Sequence, residues 1–407
     1  MRSSLGFHTM TVSHELGRTE AEQLIKHFCQ YRKRTGQIRI IQIFAAGPNR
    51  RKEYREYEPR YSNGVLLLPT NLHIAFCNKD YGIKWRLRAN YNFEGFKDYG
   101  IEATINPKIL GGVHDYITAA IYDDMSAAIV KFNLISKSIS PILGPFEMYN
   151  LKRIDYCLNF DLKELAPGCT SKQIMNLIKR SNIPPHYEKG TKYSRTAHRN
   201  KGYPGSFYLE CRVANINCYS KYMKFQEQSK ENVRKGYPPI PPETMELARN
   251  IIRFEVQCKY PKVYALSKRA SKYDIWGFTK FNDLLDFRAC IRQINYYYKL
   301  TIGKGDWYSL AAARKIIKSR RFNQQKEDRL LAALQEINQS RSVAAAIEAH
   351  QDSDLAAFKR TLKDLTDIGV NPVTIPRDWG ISHIPNLLHT FNDISLARET
   401  YPEMQLI

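Results

Sequence analysis

Nine residues constrain this chain more than any others: Arg153-Ile154-Asp155-Tyr156-Cys157-Leu158-Asn159-Phe160-Asp161. The even positions are apolar, while the odd ones are Arg153, Asp155, Cys157, Asn159 and Asp161. A β-strand sends alternate side chains to opposite faces, so this pattern predicts a strand with one face on a core and a polar, acidic face opposite. Residues 250–259 repeat the arrangement. Ile252, Phe254, Val256 and Cys258 make one face; Arg253, Glu255, Gln257 and Lys259 make the other. Between them, Phe207 to Val213 and Ile216 to Lys221 read as two closely joined strands, the second placing Asn217, Tyr219 and Lys221 on a common face.

The flanking sequence adds helices of unequal length. Thr19-Glu20-Ala21-Glu22 has a capping-box pattern, and Leu24, Ile25 and Phe28 follow at helical spacing. Strands are expected at 38–44, 64–77 and 83–91, and a helix at roughly 114–135. From about Lys326 the pattern turns helical again: Leu330, Leu331, Leu334 and Ile337 form one stripe, Val343, Ala346 and Ile347 a second, and 355–365 a third helix, stopped by Gly369-Val370-Asn371-Pro372. The expectation is an α+β fold with a central, mainly antiparallel sheet flanked by helices and a small all-helical C-terminal domain. Its expected divisions are an N-terminal α+β region at 1–145, a catalytic region at 146–322, and the C-terminal helices at 323–407. Those last helices read equally as a helix-turn-helix-like module or as a plain bundle.

Charge narrows the function. Lys and Arg number 62 against 40 Asp and Glu, a formal charge of +22, which predicts a polyanionic partner. Three clusters concentrate it. Arg50 and Arg51 lie in Asn49-Arg50-Arg51-Lys52-Glu53-Tyr54-Arg55; Lys189, Lys192, Arg195 and Arg199 sit among Tyr187, Tyr193 and Tyr203; Arg320 and Arg321 follow Arg314, Lys315 and Lys318. Basic side chains neutralise phosphates and aromatic rings stack on unpaired bases, so these are the candidate DNA-binding residues. No G-x-G-x-x-G or G-x-x-x-x-G-K-[ST] occurs, which disfavours a nucleotide-hydrolysing motor. No apolar run approaches a membrane span, the N-terminus lacks a signal-peptide core, and the eight cysteines include no C-x-x-C pair. A cytoplasmic protein with reduced thiols is expected.

The polar faces of the central strands gather chemistry if those strands are neighbours. Asp155, Asp161 and Glu255 are candidate ligands for Mg²⁺ or Mn²⁺, which would polarise a phosphodiester oxygen. Tyr219 is a candidate nucleophile, able to keep a DNA end as a covalent phosphotyrosine, with Lys221 as an electrostatic aid. Asp155 and Glu255 read equally as ion-pair partners of Arg153 and Arg253.

At these residues the chain resembles the replication initiation factors. Arg153-Ile154-Asp155 followed by Asn159-Phe160-Asp161 is similar to their "R-I/L-D-x-x-x-D" strand, Ile216-Asn217-Cys218-Tyr219-Ser220-Lys221 to their "Y-x-K" segment, and Arg253-Phe254-Glu255-Val256 to their "R-x-E" strand. The resemblance covers about residues 150–260. That family starts rolling-circle replication of plasmids and phages or nicks conjugative transfer origins, and is related to the HUH endonucleases. The resemblance implies a metal-dependent, tyrosine-based DNA strand transferase with Tyr219 as nucleophile and Asp155 and Glu255 as metal ligands or their supports. It also implies origin DNA as partner, single-stranded or supercoiled, with a host helicase and a second copy of the chain as further candidate partners. The chain departs from the pattern in having no His-hydrophobic-His motif, and His73 is the one histidine placed to assist; the acidic residue usual beside the lysine is displaced, Glu227 standing nearest. Tyr222 or Tyr296, Tyr297 and Tyr298 are the alternative nucleophiles. Two rival readings stay open: a non-catalytic, sequence-specific DNA-binding protein, and a metal-dependent nuclease that uses Asp155 and Asp161 without a tyrosine intermediate.

Overall fold

The computed structural model describes residues 4–44, 53–78, 81–91, 97–113, 117–189, 205–234, 238–271, 282–350 and 352–389. The chain divides into two compact units. The N-terminal unit comprises Gly6–Tyr156 and Cys258–Phe287; the central unit comprises Met1–Leu5, Cys157–Gln257 and Arg288–Ile407.

In the N-terminal unit a long strand β1 (Ser4–Leu16) leads into helix α1 (Arg18–Thr35). Then come β2 (Ile38–Phe44), β3 (Glu53–Glu56), a small hairpin of β4 (Tyr61–Ser62) and β5 (Val65–Leu66), then β6 (Asn71–Phe76), β7 (Ile83–Tyr91) and β8 (Lys97–Ile105). Helices α2 (Pro107–Leu110) and α3 (Tyr122–Ile139) close the run. The sheet order is β1-β8-β7-β6-β2-β3, antiparallel at every pair. The alternation explains the packing: Leu72, Ile74, Ile83, Trp85, Leu87, Ile101 and Ala103 are buried on one face, where Phe28 of α1 meets Trp85 at 6.1 Å between ring centroids. Helix α1 begins one residue before Thr19, because Glu20 reaches back to accept from the Gly17 N–H at 2.8 Å and makes Gly17 the cap.

The central unit opens with the second half of β9 (Asn150–Asp161), followed by α4 (Leu162–Leu165) and α5 (Ser171–Ile178). Strands β10 (Glu188–Lys189), β11 (Ser206–Glu210) and β12 (Ala214–Ser220), helices α6 (Lys221–Arg234) and α7 (Pro242–Ala248), and β13 (Ile251–Cys258) complete its sheet, ordered β9-β13-β12-β11-β10. Helices α8 (Tyr260–Ser271) and α9 (Asn282–Leu285) return to the N-terminal unit. In the central unit, α10 (Phe287–Thr301) covers the apolar face, with Tyr298 against Phe160 at 5.9 Å and Phe254 at 5.3 Å. Strand β14 (Trp307–Tyr308) and helices α11 (Leu310–Ser319), α12 (Gln324–Gln339), α13 (Val343–Ala349) and α14 (Asp352–Asp367) follow. A two-residue strand β15 (His383–Ile384) pairs back on β14. Of the expected stripe, Leu330, Leu334 and Ile337 are buried and Leu331 is half-buried. Arg180, just beyond α5, fastens the C-terminal helices by donating to the Arg341 and Thr374 carbonyls at 3.1 and 3.0 Å and to Asn338 Oδ1 at 3.1 Å.

The two units share one plan. In both, helical structure follows the first strand, and the last strand of the main sheet lies between that first strand and the strand preceding it in sequence: β8 between β1 and β7, β13 between β9 and β12. Sequence echoes accompany it: Gln23-Leu24-Ile25-Lys26 in α1 against Asn176-Leu177-Ile178-Lys179 at the end of α5, and Ile101-Glu102-Ala103 in β8 against Phe254-Glu255-Val256 in β13.

Candidate active site

The expected polar faces are polar but not solvent-facing. Arg253 is 0 % exposed, Asn159 2 % and Glu255 3 %, so β9 and β13 are buried on both sides. An unpaired polar or charged group at that depth costs several kcal/mol, so such residues survive only in mutual contact. They make it. Tyr219 Oη donates to Glu255 Oε1 at 2.9 Å. The Arg253 guanidinium stands 3.7 Å from the same carboxylate oxygen and donates through Nε to Asn159 Oδ1 at 2.7 Å. Asn159 in turn donates to Ser4 Oγ at 2.8 Å. The network joins β12, β13 and β9 across the face opposite Tyr298.

Electrostatics follow from that burial. Desolvation, and after it the Glu255 carboxylate, push the Tyr219 phenol well above the ordinary tyrosine range, against a smaller opposing pull from Arg253. Arg253 is held charged: burial works against its guanidinium, but Cys157, Tyr219 and Glu255 together raise it above the usual arginine value.

The remaining expected residues are placed separately. Lys221 is buried but begins α6, since β12 ends at Ser220, whose hydroxyl accepts from the Met223 N–H at 3.3 Å and starts the helix. The common strand face expected for Tyr219 and Lys221 therefore stops at Tyr219. Asp161 accepts from the Lys163 N–H at 3.0 Å and caps α4. Asp155 belongs to the N-terminal unit, where it is 1 % exposed and accepts from Arg153 Nε at 2.7 Å and from Thr9. Among the described residues no group of three or more His, Cys, Asp or Glu side chains stands together to hold a metal ion. The three carboxylates expected to ligate Mg²⁺ or Mn²⁺ thus do not fit a shared site, because each serves a different protein donor. His73 is half-buried in β6, directly opposite Arg86.

Of the alternative nucleophiles, Tyr298 is fully buried, Tyr297 is 5 % exposed and Tyr296 57 %. Tyr222 is half-buried beneath the Arg249 guanidinium. Arg320 and Arg321 are exposed at the end of α11. Arg50, Arg51, Lys192, Arg195 and Arg199 lie outside the described residues; Lys189 falls in β10, its side chain outside them as well. Two groups escaped the sequence reading. Asn159 was placed on the polar face without a role, and the pair His383 and His389 converges on Asp306, at 2.9 and 2.8 Å. Separations of 77 and 83 residues leave no local signal for that cluster.

No helix among the described residues is long and apolar enough to cross a membrane. Searches against protein-family models, curated proteins and solved structures each give no match.

Proposed function

We propose that the chain is an origin-specific DNA nicking and strand-transfer protein of the rolling-circle type, with Tyr219 as its nucleophile. The observation that carries the proposal is the 2.9 Å hydrogen bond from Tyr219 to Glu255. A weak nucleophile needs a base within hydrogen-bond reach and a third group that orients the base; Arg253, itself fixed by Asn159, supplies the third part. Because the phenol is held high, a preformed phenolate is not the attacking species. Tyr219 Oη bonds to phosphorus as its proton passes to Glu255. The bond from phosphorus to one deoxyribose oxygen breaks, that oxygen takes a proton from solvent, and the DNA end remains as a tyrosine phosphodiester. Reversal religates without ATP, in keeping with the lack of a P-loop motif. No step is assigned to Mg²⁺ or Mn²⁺, since the candidate carboxylates do not share a site.

A second reading is favoured by one observation: Tyr219 is only 8 % exposed. A phenol so enclosed reaches a phosphate only if the chain around it moves, and the same network serves a non-catalytic DNA-binding protein as a buried support. The deciding experiment incubates the full chain with supercoiled DNA from its own replicon, with Mg²⁺ or Mn²⁺ present, and seeks a protein–DNA adduct on denaturing gels. An adduct lost in Tyr219→Phe supports the strand transferase. An adduct that persists moves the nucleophile to Tyr222 or Tyr296. Cleavage without an adduct, unchanged in Tyr219→Phe, would establish the tyrosine-independent nuclease. Binding with neither adduct nor cleavage establishes the non-catalytic reading.

A further inference from the structure

Within the central unit, β14, the basic helix α11 and the segment after α14 border an open cavity of about 450 Å³. That falls within the range of small-ligand sites and is large enough for one nucleotide. Its walls include Lys304, Asp306, Tyr308, Ser319, Arg320 and His389. Two features favour an anion in it.

The first is the state of its one carboxylate. An aspartate lining an anion site ordinarily repels the ligand. Asp306, however, accepts from His383 Nε2 at 2.9 Å, His389 Nε2 at 2.8 Å and the Asn386 N–H at 2.8 Å, with Tyr308 Oη at 3.5 Å. Both oxygens are engaged by donors of the protein, so the carboxylate acts as an anchor that fixes the two imidazole rings. Tyr308 and His383 stack at 4.7 Å on the same anchor.

The second is the charge of the segment that carries Arg320. From Ser309 to Lys326 the chain has six Lys or Arg and no Asp or Glu. Arg314, Lys315, Lys318, Arg320 and Arg321 are all exposed there. Lys304 is tied to Asp367 at 3.5 Å, an exposed pair that solvent screens and that an entering anion can exchange at little cost.

We propose that this cavity seats a nucleotide phosphate, gripped by Lys304 and Arg320 with the His389 imidazole beside them, and so anchors a DNA strand away from Tyr219. The proposal rests on the DNA-binding part of the function above, not on its tyrosine chemistry. A mononucleotide and a phosphate within a strand present the same chemistry, and the assay separates them.

The test measures fluorescence anisotropy of a labelled 20-mer oligothymidylate on the full chain across a KCl series, with free dTMP as competitor. Loss of one neutralised phosphate lowers the slope of log K against log salt by about 0.7 for single strands. The expected result is that fall in Lys304→Gln/Arg320→Gln, with roughly tenfold weaker binding, and restoration in Lys304→Arg/Arg320→Lys. The control Arg314→Gln/Lys315→Gln carries the same charge loss, on α11, without lining the cavity. Displacement of the oligomer by millimolar dTMP in the wild type, absent from the glutamine variant, supports a free-nucleotide source; the slope change without displacement supports the strand. A slope unchanged in the glutamine variant, or an equal loss in the control, overturns the cavity and leaves DNA binding standing. No binding of either probe by the wild type overturns the cavity together with the DNA reading. Adduct formation, scored separately, reads the tyrosine chemistry alone.

Discussion

Replacing Arg253 by Leu tests whether the buried network holds the central unit together. The guanidinium is 0 % exposed, faces a carboxylate that is 3 % exposed and donates to an Asn that is 2 % exposed. Removing one member of a buried ion pair leaves its partner uncompensated, at a typical cost of about 3–5 kcal/mol. The central unit has the size at which each kcal/mol moves Tm by about 2–4 °C, so the expected fall is roughly 6–20 °C. Differential scanning calorimetry of the full chain reads it. The decisive arm is Arg253→Leu/Glu255→Gln, because glutamine keeps an oxygen for the Tyr219 hydroxyl while removing the charge. If Glu255 is what Arg253 compensates, the double variant is more stable than Arg253→Leu alone, with a coupling of about 0.5–3 kcal/mol. A single variant within about 1 kcal/mol of wild type, or a double variant whose loss equals the sum of the singles, would show that Arg253 does not compensate Glu255.

Three other outcomes follow from the same physics. Burial chiefly holds Tyr57 up at about 12, and burial likewise keeps Tyr149, Tyr219 and Tyr298 above the ordinary 10.0. A folded value raised above the unfolded one means stability that is complete below pH 10 and lost as pH rises beyond it, so urea midpoints should fall steeply above pH 10 and phenolate absorbance should lag until unfolding. For Asp306, burial pushes the carboxyl up, but bonds from His383, the Asn386 N–H and His389 together outweigh it and leave the group below 3.8. Asp306→Asn should then cost about 1.5–3 kcal/mol at neutral pH, a difference that shrinks in urea titrations as pH falls below 3.8 through the folded value. Gly6→Ala would put a Cβ 2.0 Å from the Ala120 carbonyl oxygen, where Phe7 and Ala120 exchange backbone bonds at 2.9 and 2.8 Å. The expected urea midpoint is lower by the equivalent of about 1–3 kcal/mol, and an unchanged midpoint would contradict that close approach.

Much of the fold was legible because two-residue alternation is a strong signal. Strands β2 and β7 have the bounds the sequence predicts, and β13 differs by one residue at each end. The α+β class with a large antiparallel sheet and C-terminal helices follows from such strands and from the stripe around Leu334. Strand β1 was not legible: its second face carries Thr9, Thr11 and Ser13, residues equally at home in loops. The candidate site was half legible. Alternation tells which residues share a face, and it put Tyr219, Arg253, Glu255 and Asn159 on polar faces. It does not tell what lies over that face, so the depth of Arg253 could not be read. Nor does it tell where a side chain finds its partner. Asp155 pairs with Arg153 two residues away, whereas Arg253 depends on Asn159, 94 residues away.

The shared plan of the two units sharpens the assignment of chemistry. In both, a glutamate on the last strand faces a polar partner on the adjacent strand: Glu102 forms an ion pair with Arg88 at 3.3 Å, and Glu255 accepts from Tyr219 at 2.9 Å. The two pairs differ in kind. Arg88 is 42 % and Glu102 24 % exposed, so that ion pair is screened and contributes at most about 1 kcal/mol. A guanidinium also gives up no proton to a carboxylate and attacks no phosphorus. The Tyr219–Glu255 pair is enclosed, has a proton to transfer and an oxygen to bond with, and is oriented by a third charged group. If both units descend from one plan, the nucleophilic role falls to the central one on chemical grounds alone. Arg88→Tyr then gives the N-terminal unit a hydroxyl beside Glu102 without the Arg253 counterpart, which is Gly100 opposite Arg88. That variant in a Tyr219→Phe background should form no adduct; an adduct would show that the orienting cation is dispensable and remove the basis for placing the reaction at Glu255.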